Sequence, residues 1–335
     1  MKNIWDRLFS IICYCILETF VKIKQTNQAK ESNFLKKLFF FVSSLVVIIL
    51  VISIVNYEKS FKNSPPSKNI VDPPVSEQKP APLQPTLVTD SIGYSLLNNE
   101  LNITYDNGKN WVTVPVEFDH LFSGEYNGNK TELIPDSYIL SDKRAAFLTT
   151  LGPIKLITSL DNGVTWQESI VYENAPGIRF RKVDFLNDQF GYVILSGDRT
   201  MSQEWSAIFI TNDGGKSFRE AAYPGTTRLL YNGGFVDENI GFLSYGVISP
   251  EEPDFYVTKD TGHSWIQASF TIPEKYHKVF VTAEVPYKED EHLSVLLNQG
   301  PNGDYMGGKV KGKFISFDQG LSWEFESEVA PNEEP

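Results

Sequence analysis

The sequence predicts an all-β fold, built from repeated four-stranded units and preceded by one membrane-crossing helix. Two observations predict the repeats. The pattern Ser/Thr-x-Asp-x-Gly-x-x-Trp/Phe occurs five times, with first positions 55, 52, 47 and 58 residues apart. A fixed period of that size marks a solenoid, propeller or array. Between the copies run short β-branched and aromatic stretches bounded by Gly, Asn, Asp and Pro, which are strand signals. A third observation sets off the N-terminus: Leu38 to Val55 is a run of 18 residues without a charge.

Taken in chain order, residues 1–37 read as a cytoplasmic leader. Within it, Leu8 to Phe20 is a shorter apolar run interrupted by Glu18, read either as an interfacial helix or as loosely ordered chain. Residues 38–57 are the predicted transmembrane helix, because about 18–20 apolar residues cover ~30 Å of hydrocarbon. Lys22, Lys24, Lys30, Lys36 and Lys37 crowd its N-terminal side, while Lys59, Lys62 and Lys68 follow more sparsely. That bias predicts a single-pass cell-membrane protein, N-terminus in the cytoplasm and the large domain extracytoplasmic. A cleaved signal peptide is the competing reading. The long leader and the absence of a small-x-small site in Ile54-Val-Asn-Tyr-Glu58 argue against it. Residues 58–86 hold seven prolines and read as a semi-rigid linker. Residues 87–330 carry the repeats, and 331–335 form a tail.

The five copies are Thr104-Tyr-Asp-Asn-Gly-Lys-Asn-Trp111, Ser159-Leu-Asp-Asn-Gly-Val-Thr-Trp166, Thr211-Asn-Asp-Gly-Gly-Lys-Ser-Phe218, Thr258-Lys-Asp-Thr-Gly-His-Ser-Trp265 and Ser316-Phe-Asp-Gln-Gly-Leu-Ser-Trp323. The Ser or Thr ends a strand. The carboxylate of Asp106, Asp161, Asp213, Asp260 or Asp318 accepts main-chain N–H bonds within its own turn. Gly108, Gly163, Gly215, Gly262 and Gly320 supply a backbone with positive φ. Trp111, Trp166, Phe218, Trp265 and Trp323 open the next strand and bury a large ring. Strand runs such as Lys182–Leu186, Phe190–Leu195 and Ala207–Thr211 precede the third copy, and the first and fourth repeat that order. Each repeat therefore supplies four strands, one propeller blade. Five blades use the whole segment; six with one degenerate blade is the alternative.

This pattern resembles the Asp-box, or BNR, repeat of sialidase-like β-propellers, over about residues 87–330. The resemblance implies that the box joins the third and fourth strands of a blade, on the rim away from the binding face, and serves folding. Sialidases would imply three convergent arginines, a Tyr–Glu nucleophile pair and an acid/base Asp. Here no Arg precedes the first box within the domain, and the Arg-Ile-Pro motif is missing. The chain is more similar to non-enzymatic propellers, such as the photosystem assembly factor family and Vps10-like receptors, which implies a binding or assembly scaffold. A membrane-tethered glycan hydrolase is the alternative.

Composition narrows the partners. Residues 87–335 carry 19 Lys/Arg against 36 Asp/Glu, a net of −17, which repels phosphate backbones and argues against nucleic acid. Both cysteines, Cys13 and Cys15, precede the repeats, and only four His occur, so no metal or cofactor is expected. The expected partner is a protein or envelope glycan. Long loops at 117–136, 172–181, 196–205, 223–231, 247–254, 271–278 and 298–311 share the expected binding face, with Trp205 and Tyr305 placed to stack on a sugar or peptide. Arg179, Arg181, Arg228 and Lys278 precede inner strands and form the candidate ligand-binding group, a basic mouth for a carboxylate or acidic tail. Pairing with neighbouring acids is the competing reading for these four.

Overall fold

The structure is a computed structural model that describes residues 82–174 and 177–330, all within the compact unit Lys79–Pro335. The predicted leader, transmembrane helix and most of the linker lie outside the described residues, as does the tail. Among the described residues no helix is long and apolar enough to cross a membrane.

The described residues form five sheets. Sheet 1 is β1 (Thr86–Leu87), β2 (Gly93–Ser95), β3 (Asn102–Thr104) and β4 (Val112–Thr113). Sheet 2 is β5 (Tyr138–Leu140), β6 (Ala145–Thr149), β7 (Ile154–Ser159) and β8 (Gln167–Tyr172). Sheet 3 is β9 (Ile178–Phe185), β10 (Gly191–Thr200), β11 (Gln203–Thr211) and β12 (Arg219–Glu220). Sheet 4 is β13 (Leu230–Phe235), β14 (Gly241–Tyr245), β15 (Asp254–Thr258) and β16 (Ile266–Gln267). Each is a contiguous antiparallel meander, as the repeats predict. Sheet 5 is larger: β17 (Ser269–Thr271), β18 (Phe280–Ala283), β19 (Tyr287–Glu289), β20 (His292–Gln299), β21 (Lys311–Ser316) and β22 (Ser322–Val329). There β17, which follows directly on sheet 4, pairs in parallel with the outermost strand β22.

Every box joins the third and fourth meander strands of its sheet, and its bonding repeats five times. The hydroxyl of Thr104, Ser159, Thr211, Thr258 or Ser316 donates to the box Asp and accepts from the box Gly N–H. The Asp then accepts the N–H four residues ahead of it. The residue before each Gly also has positive φ: Asn107, Asn162, Gly214, Thr261 and Gln319. Asn and Gly suit that position; Thr261 and Gln319 hold it because the turn is fixed on both sides.

The ring of each later box packs on the sheet before it. Trp166 joins the cluster between sheets 1 and 2, Phe218 that between 2 and 3, and Trp265 that between 3 and 4. Trp323 is fully buried among Phe242 and Phe255 of sheet 4 and Phe270 of β17. Close approach explains the invariant turn: a Cβ on Gly320 would lie 2.3 Å from the Phe242 ring. The first box has no earlier sheet among the described residues, and Gly108 meets Pro85. The four hydrophobic clusters link sheets 1–2, 2–3, 3–4 and 4–5, and none of them spans 5 to 1.

Replacing Trp323 with Ala is expected to remove ~3–5 kcal/mol of stability in urea unfolding. Trp111→Ala, on a half-buried ring, is expected to cost less. The box carboxylates set a pH dependence. Burial works to raise Asp213 and Asp260, but bonds from Ser217 and Thr211, and from Ser264 and Thr258, outweigh it and hold each at about 2, below the ordinary 3.8. A depressed carboxylate stabilises the fold above its unfolded pKa and loses that contribution as pH falls through the folded one. Stability should therefore decline between about pH 4 and 2, and Asp213→Asn with Asp260→Asn should flatten that decline in thermal melts.

Candidate functional site

Sheet 3 departs from its neighbours in the length of its middle hairpin. Residues 196–205, expected as a loop, are strand: β10 runs to Thr200 and β11 starts at Gln203, turning through Met201-Ser202. Gly197 admits the incoming chain there, since a Cβ would lie 2.0 Å from the Gly177 carbonyl oxygen. On the inner side β9 pairs with β10 all the way to Gly197. On the outer side β12 covers β11 only at Phe209 and Ile210. The chain leaves the sheet after Ala221, whose N–H donates to the Ile208 carbonyl, and returns where the Glu204 N–H donates to the Thr227 carbonyl. The excursion between them walls a cleft of about 420 Å³, lined by Trp205, Ser206, Ile208, Tyr223 and the carboxylates of Asp198 and Glu220, among others.

The floor of this cleft is fixed electrostatically. Glu204, whose side chain is fully buried, receives Arg179 Nε and Nη2 in two bonds of 2.6 Å. It also accepts the Leu230 N–H at 2.6 Å, while Arg179 donates to Ser196 Oγ and to the Leu230 carbonyl. One ion pair thus ties β9, β10 and β11 to the first residue of β13. Trp205 is held from behind by stacking on Tyr172 of sheet 2, with ring centroids 5.4 Å apart.

Of the four cations expected to ring a basic mouth, the three arginines are instead tied into the scaffold, and Lys278 sits in an exposed surface pair. Arg179 is spent on Glu204. Arg181 is only 4% exposed and donates to the carbonyls of Leu121 and Ser123 and to Thr150 Oγ1, so its charge pins the 117–136 loop to sheet 3. Burial lowers its pKa to about 10. Arg228 pairs with Asp254 at 3.0 Å, and Lys278 with Glu251 at 3.2 Å. Lys278 and Glu251 are the exposed pair. The competing reading, pairing with nearby acids, holds for three of the four, and carbonyl oxygens take that place for Arg181. Two further arginines join one sheet to the next box: Arg144 donates to the Gly214 and Asp188 carbonyls, and Arg219 to the Thr261 carbonyl.

A Tyr–Glu arrangement exists, but elsewhere. Tyr276 and Tyr305 both donate to Glu328 at the outer edge of sheet 5, with Lys275 beside them. The arginines just described sit in sheets 2 to 4 and reach none of these groups. Tyr305, expected to stack on a ligand, donates into this cluster and packs on Tyr276 and Phe280. No His, Cys, Asp and Glu group with metal-ligand geometry occurs among the described residues. Sequence reasoning named Trp205 and the 223–231 loop but missed Glu204 and the open strand. The available signal was the β-forming run Glu204-Trp-Ser-Ala-Ile-Phe-Ile-Thr211, longer than the other third strands.

Successive four-stranded meanders with a box between third and fourth strands are β-propeller architecture of the Asp-box type. No family model and no curated protein sequence matches the chain. Among solved structures it is similar to YCF48 bound to a D1 peptide, at 16% identity over 72% of this chain and 69% of that one, with a TM-score of 0.39. It is also similar to the GH74 xyloglucanase of Xanthomonas campestris, at 15% identity, 71% of this chain, 36% of that one and a TM-score of 0.41. A Dyadobacter fermentans protein of unknown function matches at 14% identity, 74% and 72% coverage, and a TM-score of 0.38. Likenesses this distant bear on no activity or partner.

Removing one partner of a buried ion pair strands the other charge. Glu204→Ala is expected to cost ~3–5 kcal/mol. Replacing both, Arg179→Met with Glu204→Met, should cost less than that single change, as a double-mutant cycle in urea will read. Arg181→Glu should prevent folding, where a rim residue would tolerate it.

Proposed function

We propose that this chain is a single-pass membrane protein whose extracytoplasmic, five-bladed propeller acts as a binding or assembly scaffold for a protein, with the sheet 3 cleft as its docking site. The observation that carries this reading is the cleft itself. It is the place among the described residues where a third strand outruns its outer neighbour and leaves a gap in the pairing, between Glu204 and Ile208, and a buried ion pair holds its floor rigid. Rigid scaffolds with aromatic and polar groups converging in a cleft are suited to recognition. The membrane anchor follows from the charge-free run at 38–55 and the lysines before it.

The hydrolase alternative finds less support. Glycoside chemistry of the sialidase kind needs arginines, a tyrosine and a glutamate around one substrate. Here the Glu328 cluster has a lysine and no arginine beside it, while Arg144, Arg179, Arg181 and Arg219 are engaged in holding sheets and loops together and Arg228 pairs with Asp254.

A photo-crosslinking residue in place of Tyr223, which is 60% exposed at the cleft, tests the reading in intact cells carrying the full chain. One discrete protein adduct is expected there. The same residue in place of Val164, 80% exposed on the second box, should give none. No adduct at 223, or the same adducts from both positions, would overturn the proposal.

A further inference from the structure

The outer edge of β11 is open over one short window. Alternate residues of a strand bond to alternate sides. Those of β11 that face outward are Glu204, Ser206, Ile208 and Ile210, as the bonds of Glu204 to Thr227 and of Ile208 to Ala221 establish. Ile210 pairs with Arg219. Between the two flanking bonds, the Ser206 N–H and C=O, the Ile208 N–H and the Glu204 C=O have no protein partner across the edge among the described residues. They form a donor and acceptor row at strand spacing, on the wall of the cleft. The third strands of the other sheets overhang less: β7 is paired with β8 from Ile154 to Thr158, and β21 with β22 from Lys311 to Ile315.

An unpaired strand edge is a template for another strand, and proteins ordinarily cover it. Here it is recessed between two ties of the same chain, which blocks edge-to-edge aggregation while leaving room for a short guest. Glu204 to Ile208 spans about 13 Å at ~3.3 Å per residue, enough for about three guest residues. Charge selects among guests. The Glu204 carboxylate is neutralised by Arg179, but Asp198 and Glu220 stand exposed at the rim, in a domain of net −17 (19 Lys/Arg against 36 Asp/Glu).

We infer that the window binds a short extended peptide segment carrying Lys or Arg, added as a strand against Ser206. Its main chain bonds to Ser206 and its neighbours, its basic side chains meet Asp198 and Glu220, and its apolar side chains lie on Trp205 or Tyr223. A saccharide would use the aromatics but has no main-chain row to match the edge, so the observations favour a peptide. This inference rests on the cleft being the docking site.

The test starts from a random heptapeptide phage library panned on the full-length protein. The best binder is synthesised with single N-methyl groups along its main chain. Its Kd is measured on the wild type and on Asp198→Asn with Glu220→Gln; Asn is chosen because residue 198 has φ +51. The expected binder is rich in Lys or Arg. N-methylation should weaken it about tenfold or more at alternate residues and little at those between. The double variant should weaken it about tenfold while melting like the wild type. A binder indifferent to both changes removes strand pairing here while leaving a protein scaffold standing. Failure to select any peptide, or binding of chito-oligosaccharides at the cleft in its place, overturns the inference; joined to the absence of an adduct at residue 223, it removes the docking site as well.

Discussion

A serine or threonine hydroxyl donating to an aspartate two residues on, and accepting from a glycine four residues on, is the contact from which the rest of the domain is built. It closes the turn between third and fourth strands with both central residues at positive φ. It also aims the following Trp or Phe at the sheet before it. Because that ring lies in the cluster between two sheets, each meander depends on the next for part of its core. Stability in such a repeat is shared between neighbours more than owned by any one sheet. Sheet 1 shows the consequence: with no earlier sheet among the described residues, its box glycine meets Pro85, and its ring stays half-buried.

Charge plays a second structural part. Arginine supplies several donors in a rigid fork and is never deprotonated in practice, which suits it to capturing loop carbonyls. Arg144, Arg181 and Arg219 do this between sheets and loops, and Arg179 does it through a buried carboxylate. The surface left for recognition is then acidic and aromatic instead of basic. It concentrates where the hairpin of sheet 3 outgrows its outer strand.

Much of the fold was legible because the boxes are local. Every donor and acceptor of the turn lies within eight residues, so Thr211 to Phe218 declares its own geometry. The strands around it follow from alternation and from Gly and Pro punctuation. The site was less legible because its parts come from distant residues. Arg181 beside Arg179 reads as a basic pair on any sequence; that one lies under the 117–136 loop and the other against Glu204 depends on contacts 25 to 60 residues away. Residues 196–205 read as loop because Gly197, Asp198 and Ser202 are turn formers, yet cross-strand pairing carries the hairpin through them. The open edge at Ser206 is invisible to any residue-by-residue reading, since it is a place where a neighbour stops short.

The most direct measurement is amide hydrogen exchange across β11 in the free, full-length protein. Ala207 bonds inward to Leu195 of β10, and its amide should exchange slowly. The amides of Ser206 and Ile208 face the cleft and should exchange much faster, with an alternation of slow and fast along 205–208. If Ser206 and Ile208 are as protected as Ala207, the edge is not open, and the account of the cleft as a strand-accepting site is contradicted.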